Sequence, residues 1–194
     1  MYGGLIVGGA AVLWCARKNG MNLFHLADAT APGLMLAYGT GRIGCQIAGD
    51  GDWGIVNLAP KPDWLGFLPD WFWSYTYPHN VIGAGVPMDG WLGKHCMQLP
   101  QPVFPTPLYE AIACIALFFV LWSLRSRIRI PGMIFSVYLL MNGIERFLIE
   151  TIRVNTKYHF GSAGVTQAQI ISSTLIILGI TGIVWLRRKS KSIA

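Results

Sequence analysis

Residues 108–124 read LYEAIACIALFFVLWSL, seventeen positions almost uninterrupted by polar groups. A helix needs about 20 apolar residues to cross the hydrocarbon core of a bilayer, so this run is a candidate span. Residues 168–186, AQIISSTLIILGITGIVWL, are cleaner still. Between them, residues 132–152 have spanning length but carry Asn142, Glu145, Arg146 and Glu150. Two runs lie upstream: residues 3–15, which are short, and residues 23–47, which hold His25, Asp28, Pro32 and Arg42. The pattern predicts an all-α integral membrane protein of about five transmembrane helices. It forms one membrane domain over residues 1–194, with residues 55–106 inserted as an extracytoplasmic or interfacial segment.

Composition points the same way. The chain of 194 residues is 53% hydrophobic and 12% charged, with a mean hydropathy of +0.46. Soluble domains are usually about 25% charged. Disorder is excluded by 9 Phe, 8 Trp and 7 Tyr together with the long apolar runs. Nine of the 15 basic residues fall in three clusters, Arg17-Lys18, Arg125/Arg127/Arg129 and Arg187/Arg188/Lys189/Lys191, and no acidic residue lies among them. Each cluster follows an apolar run, the mark of a cytoplasmic membrane flank and not of a nucleic-acid surface. With all three clusters on the cytoplasmic side, the five helices alternate in direction without conflict. The C-terminus is then cytoplasmic, and residues 48–106 and 154–166 face outward. Any site should open on that outer side.

Cys15, Cys45, Cys96 and Cys114 are scattered, which indicates neither a zinc site nor a disulfide framework. His79 and His95 lack metal-ligand spacing and read as structural. No metal or soluble cofactor is expected. Residues 55–106 are rich in proline and in tryptophan (Trp64, Trp71, Trp73 and Trp91), which rules out a spanning helix there. Residues 64–73, WLGFLPDWFW, read as an arm lying on the membrane surface, with a compact loop packed on protein as the alternative.

Ionisable residues inside spans are costly and mark function by default. Asn142, Arg146, Glu150 and Arg153 are spaced 4, 4 and 3 apart, which keeps them on one helical face. Arg146 and Glu150 could also form a plain structural pair. Residues 38–54, YGTGRIGCQIAGDGDWG, hold six glycines around Arg42. Residues 39–44 match GxGxxG but lack the strand and βαβ setting of a dinucleotide site. The glycines instead allow helices or a ligand to approach closely. Arg42 offers a planar fork suited to phosphate, or it pairs with Asp50 or Asp52. Asp50-Gly51-Asp52 resembles the start of a calcium loop, yet Lys61 stands at the twelfth position. Cys45 reads as a packing residue and not as a nucleophile. Two arginines near the outer face, converging on one lipid phosphate, favour a phospholipid-processing enzyme. An ion or solute carrier comes second and a structural membrane subunit third.

YGGLIVGG at residues 2–9, GRIGCQIAGDGDWG at 41–54, PTPLYE at 105–110, ERFLIETIR at 145–153 and QAQIIS at 167–172 together resemble the prolipoprotein diacylglyceryl transferases. The resemblance implies transfer of the diacylglyceryl group of phosphatidylglycerol to the lipobox cysteine thiol of a bacterial prelipoprotein, releasing glycerol phosphate. It implies a multi-pass protein of the bacterial inner membrane with a periplasmic head and site. Its partners would be phosphatidylglycerol, the lipobox peptide and the bilayer, with no nucleic acid. Carried over by position, Arg42 matches the lipid-binding arginine and Arg146 the essential arginine, supported by Glu150 and Arg153; Arg42, Arg146 and Glu150 are the catalytic set. Tyr2, Gly3, Gly4, Gly44, Gly49, Asp52 and Asn142 are implied to line the substrate site with Arg42 and Arg153.

Departures from the family pattern sharpen the expectation. Tyr2 stands where the family often has histidine, and a phenol with a pKa near 10 is a poor base at neutral pH. Cys45 stands where asparagine is common. The family carries spanning helices ahead of the point matched by Tyr2, so the resemblance implies N-terminal truncation. An anion carrier and an inactive truncated homologue are the alternatives to an active transferase.

Overall fold

The computed structural model describes residues 2–153, 158–160 and 163–193, with the side chains of 2, 4, 5, 158–160, 163–165 and 192–193 left aside. Five α-helices are present among the described residues: α1 (Tyr2–Lys18), α2 (Leu23–Ala48), α3 (Thr106–Leu124), α4 (Met133–Glu150) and α5 (Gln167–Ile193). Two of them, α3 and α5, are long and apolar enough by themselves to cross a membrane. α2 (His25, Asp28, Arg42) and α4 (Glu145, Arg146, Glu150) carry more ionisable residues than α3, which lowers their hydropathy. Most of α1 is exposed, including Ile6, Val7 and Trp14, as suits a helix whose solvent is lipid.

Local chemistry explains the helix ends. The Asn22 side chain accepts a hydrogen bond from the Phe24 N–H at 2.9 Å and caps α2. Pro107 sits in the first turn of α3, where its missing N–H costs nothing. Asp28, one of the polar residues that made the second run ambiguous, accepts from Gly132 N at 2.7 Å and Phe135 N at 2.8 Å. An α2 carboxylate thus caps the positive end of α4. Thr166 and Gln169 cap α5 reciprocally: Thr166 N–H donates to Gln169 Oε1 at 3.0 Å, and Gln169 N–H donates to Thr166 Oγ1 at 3.2 Å.

α2 packs along α3, and α4 runs antiparallel to α5. The core joins the first pair to α4 through Ala31, Met35, Cys114, Leu121 and Ile134, with Tyr38, Phe118 and Met141 packed against it. At the α4–α5 seam the backbones nearly touch. A Cβ on Gly143 would meet Ser172 O at 2.8 Å, and one on Gly179 would meet Leu140 N at 2.7 Å. Small residues at a membrane-helix seam gain close van der Waals packing where no hydrophobic drive separates helix from lipid.

One expectation is corrected. α4 stops at Glu150, so Arg153 lies beyond the helix and not on its polar face. It pairs instead with Gly54 in an isolated antiparallel bridge. The basic residues 187–191 are the last turns of α5, where lysine and arginine are good helix formers and complement the negative helix end.

Residues 49–105 form short 3-10 turns (Asp63–Leu65 and Asp70–Phe72) and the antiparallel pair β1 (Val86–Pro87) and β2 (Met97–Gln98). A second pair, β3 (Tyr158–Phe160) and β4 (Ala163–Val165), precedes α5. The long segment has its own small core. Tyr77 and Val103 are buried, and buried Asn80 donates to Ala84 O at 2.9 Å and accepts from Ala84 N at 2.7 Å. Trp64, Phe67, Trp71 and Trp91 remain exposed around it.

The seam makes a direct prediction. Gly143→Val and Gly179→Val should each destabilise the detergent-purified protein by about 1–3 kcal/mol through overpacking. Gly8→Val, whose Cβ meets nothing within 4 Å, should leave the thermal midpoint unchanged.

Candidate active site

α2, α3 and α4 bring their polar residues together at one end of the bundle. Glu110 enters from the second turn of α3 with a fully buried side chain. Its Oε2 meets Arg42 Nε of α2 at 2.6 Å and accepts from the Tyr38 hydroxyl at 2.7 Å. Its Oε1 meets Arg153 Nη1 at 3.3 Å and Arg146 Nη1 of α4 at 3.4 Å. Three guanidinium groups therefore share one carboxylate.

Asp52 makes the second link. Its Oδ2 holds Arg42 and its Oδ1 holds Arg153. Tyr38 and Arg42 are a helical turn apart, so the ring lies beneath the guanidinium at 5.0 Å and its hydroxyl accepts from Arg42 Nη2 at 3.1 Å. Arg146 also faces Glu150 at 3.6 Å, the i, i+4 pair anticipated from spacing. Three cations thus stand against three anions: Arg42, Arg146 and Arg153 with Asp52, Glu110 and Glu150.

Glycine geometry positions the incoming loop. Gly49 closes α2 in the left-handed region at φ 61, returning its N–H to Cys45 O, and a Cβ there would meet Asn80 Cβ at 2.8 Å. Gly54 runs so close to the end of α4 that a Cβ would meet Ile152 O at 2.8 Å. The Ile55 N–H donates to that same oxygen at 2.9 Å. Together with the Thr106 hydroxyl, which donates to the Asp52 carbonyl at 2.8 Å, these contacts present Asp52 and Arg153 to each other.

Arg42, Asp52, Arg146, Glu150 and Arg153 are thus brought into one network. Arg42 and Arg146 do meet, but through the Glu110 carboxylate. Gly44 has open space where a Cβ would stand, as does Gly3 in α1. Asn142 lies on α4 two turns before Glu150 and makes none of the network's hydrogen bonds among the described residues. Tyr2 and Gly4 lie in the first turn of α1, with their side-chain positions outside the described residues. Cys45 Sγ accepts from Arg42 Nη1 at 3.8 Å. The side chains of Cys45, Asp50 and Asp52 lie close enough to hold a cation, yet both Asp52 oxygens are already committed to arginines.

Two participants escaped the sequence reading. Glu110 was visible as the one charge within residues 108–124, and the cost of an ionisable group in a span should have flagged it. Tyr38 was visible as the residue one turn before Arg42. A fourth carboxyl, Glu145, is 6% exposed, and neither of its oxygens has a hydrogen-bond partner among the described residues.

The fold and this network define an α-helical membrane protein with a buried arginine–carboxylate site walled into one end of its bundle. The chain belongs to the prolipoprotein diacylglyceryl transferase family, whose model matches residues 1–185. It is 31% identical to the phosphatidylglycerol–prolipoprotein diacylglyceryl transferase of Pseudoalteromonas atlantica over 98% of this chain and 59% of that protein. Similar relatives are the second such enzyme of Clostridium perfringens, 31% identical over 92% of this chain and 58% of its own length, and that of Vibrio vulnificus, 31% over 95% and 57%. The chain therefore spans just under 60% of the length of these relatives.

Asp52 gives the network a pH signature. Burial pushes its carboxyl up, but the adjacent Arg153 and Arg42 charges and hydrogen bonds outweigh burial and hold it below the usual carboxylate range. A depressed carboxyl stabilises the fold above its unfolded pKa of about 4 and loses that contribution as pH falls through the lower folded value. The contribution of Asp52 to the thermal midpoint, read as wild type against Asp52→Asn, should be constant from pH 7 to about 5 and shrink on further acidification.

Proposed function

We propose that this protein transfers the diacylglyceryl group of phosphatidylglycerol to the cysteine thiol of a prolipoprotein. The observation that carries this reading is the convergence of Arg42, Arg146 and Arg153 on Glu110 at the end of an apolar bundle. In this reaction the thiolate sulfur attacks the glyceryl carbon, a C–S bond forms, and the C–O bond to phosphate breaks. Glycerol phosphate leaves with the electron pair, and the thiol proton passes to a base. Negative charge grows on the departing phosphate, and fixed cations in a water-poor site stabilise that growth without reorganising.

Arg146 is the cation best placed to take part. Its contacts to Glu110 and Glu150, at 3.4 and 3.6 Å, are longer than charge-assisted hydrogen bonds of about 2.8 Å, so its donors retain capacity for a phosphate. Arg42 is held much more tightly by Glu110 and Asp52. Asp52 is also the most exposed of the three network anions, at 30% of its side chain. It is the anion that an entering lipid phosphate replaces beside Arg42 and Arg153.

Membrane placement follows the basic clusters. The 125–129 and 187–191 groups lie at the bundle end away from the network, on the cytoplasmic side of a bacterial inner membrane by the positive-inside rule. The site then opens to the periplasm, where prolipoprotein cysteines emerge, and the exposed tryptophans of residues 64–91 rest at the lipid headgroups.

A reporter prolipoprotein assay tests the reading in membranes containing phosphatidylglycerol. The wild-type chain should attach a thioether-linked diacylglyceryl group. Arg42→Ala and Arg146→Ala should each lower the rate at least about a hundredfold, the usual cost of losing one charge-stabilising donor, while still inserting in the membrane. Unchanged lipidation in both variants would overturn it.

A further inference from the structure

The far end of the bundle holds a second polar constellation that the proposed reaction does not use. Two basic clusters separated by more than fifty residues of sequence meet there. Residues 127–131, between α3 and α4, lie between two open grooves. The larger has a volume of about 550 Å3 and combines Arg129 and Lys189 with the apolar surfaces of Phe24, Trp185 and Leu186. The smaller, about 310 Å3, combines Arg127, Arg129 and Arg187 with Met133, Val137 and Ile183. Arg129 and Ile130 line both, so the grooves adjoin.

Neither groove is lined by an acidic residue. Arg127, Arg129, Arg187 and Lys189 make no ion pair among the described residues. Asp28, the carboxylate that caps α4, has its two oxygens occupied by Gly132 N and Phe135 N. Four exposed cations lining adjoining grooves, with no acidic residue among the described lining, repel one another, and an anion relieves that repulsion. The cations sit beside an apolar floor formed by α5, one of the two membrane-long helices, and by Trp185, a residue type that favours the headgroup layer. The tilted rings of Phe24 and Trp185, with centroids 6.4 Å apart, form part of that floor.

Depth separates this place from the arginine–carboxylate network. Phe24 and Arg42 lie eighteen residues apart on α2, which is about 27 Å of helix and close to the thickness of a bilayer's hydrocarbon core. The two polar ends therefore address opposite leaflets.

We propose that these grooves bind an anionic phospholipid of the leaflet opposite the network. Its phosphate sits on Arg129 and Lys189, with Arg127 and Arg187 in the adjoining groove, and the upper part of its acyl chains covers Phe24, Trp185 and Leu186. Charge selects an anion, and the apolar floor selects one that brings hydrocarbon. The occupant ties the α3–α4 connection to the end of α5. It is a binding site distinct from the transferase centre and independent of the reaction proposed above.

The test uses the full chain purified in neutral detergent, with bound lipid counted by native mass spectrometry. Phosphatidylserine is compared with phosphatidylcholine of the same acyl chains. The wild type should retain phosphatidylserine in preference. Arg129→Gln with Lys189→Gln should weaken one bound phosphatidylserine about tenfold or more, and Arg129→Lys with Lys189→Arg should restore it. Equal retention of the two lipids by wild type, or phosphatidylserine binding unchanged within about twofold in the glutamine pair, would overturn the proposal. Both substituted side chains are exposed, and the charge-conserving pair separates loss of charge from loss of fold.

Discussion

Three guanidinium groups cannot be brought together in an apolar helical bundle unless an anion holds them, and Glu110 is that anion. Its two oxygens are divided among Arg42, Arg146, Arg153 and the Tyr38 hydroxyl. Because α3 supplies the carboxylate, α2 and α4 must deliver their arginines to it, which fixes the mutual height of three helices. Removing one member of a buried ion network costs about 3–5 kcal/mol, since it leaves the others unpaired in low dielectric. The network is thus a constraint on the fold as well as a device for chemistry.

The loop after α2 completes that constraint. Asp52 would be an ordinary exposed acid if Gly54 did not let the chain pass against Ile152, bringing Arg153 into range. The close approach and the positive φ at Gly49 show why glycine recurs in residues 38–54: some glycines shape the backbone that carries Asp52, while a Cβ on Gly44 would meet nothing within 4 Å. At the opposite end the arrangement is reversed, with four cations beside apolar surface and no acid lining the grooves. A balanced network at one end and an unbalanced basic cluster at the other give the bundle a polarity that its hydrophobic core does not show.

Much of this was legible beforehand. Apolar runs located all five helices, because burial in lipid or protein requires continuous hydrophobic sequence whatever the packing. The i, i+4 spacing of Arg146 and Glu150 survives as a pair for the same local reason. Arg153 was misplaced because helical periodicity was extended past the end of α4, and no local signal announces the bridge to Gly54. The role of Glu110 depends on contacts from residues 38, 42, 146 and 153, which spacing along one helix cannot reveal. The meeting of the 125–129 and 187–191 clusters is likewise a tertiary fact. Each basic group reads alone as a membrane flank.

The most direct measurement of the central claim is a double-mutant cycle between Arg42 and Glu110, read by reversible denaturation in detergent. If one carboxylate organises the site, Arg42→Gln and Glu110→Gln each destabilise strongly, and the double variant loses less than their sum by about 1–3 kcal/mol. Additivity of the two losses within about 0.5 kcal/mol would show that Arg42 does not depend on Glu110, and would contradict the account.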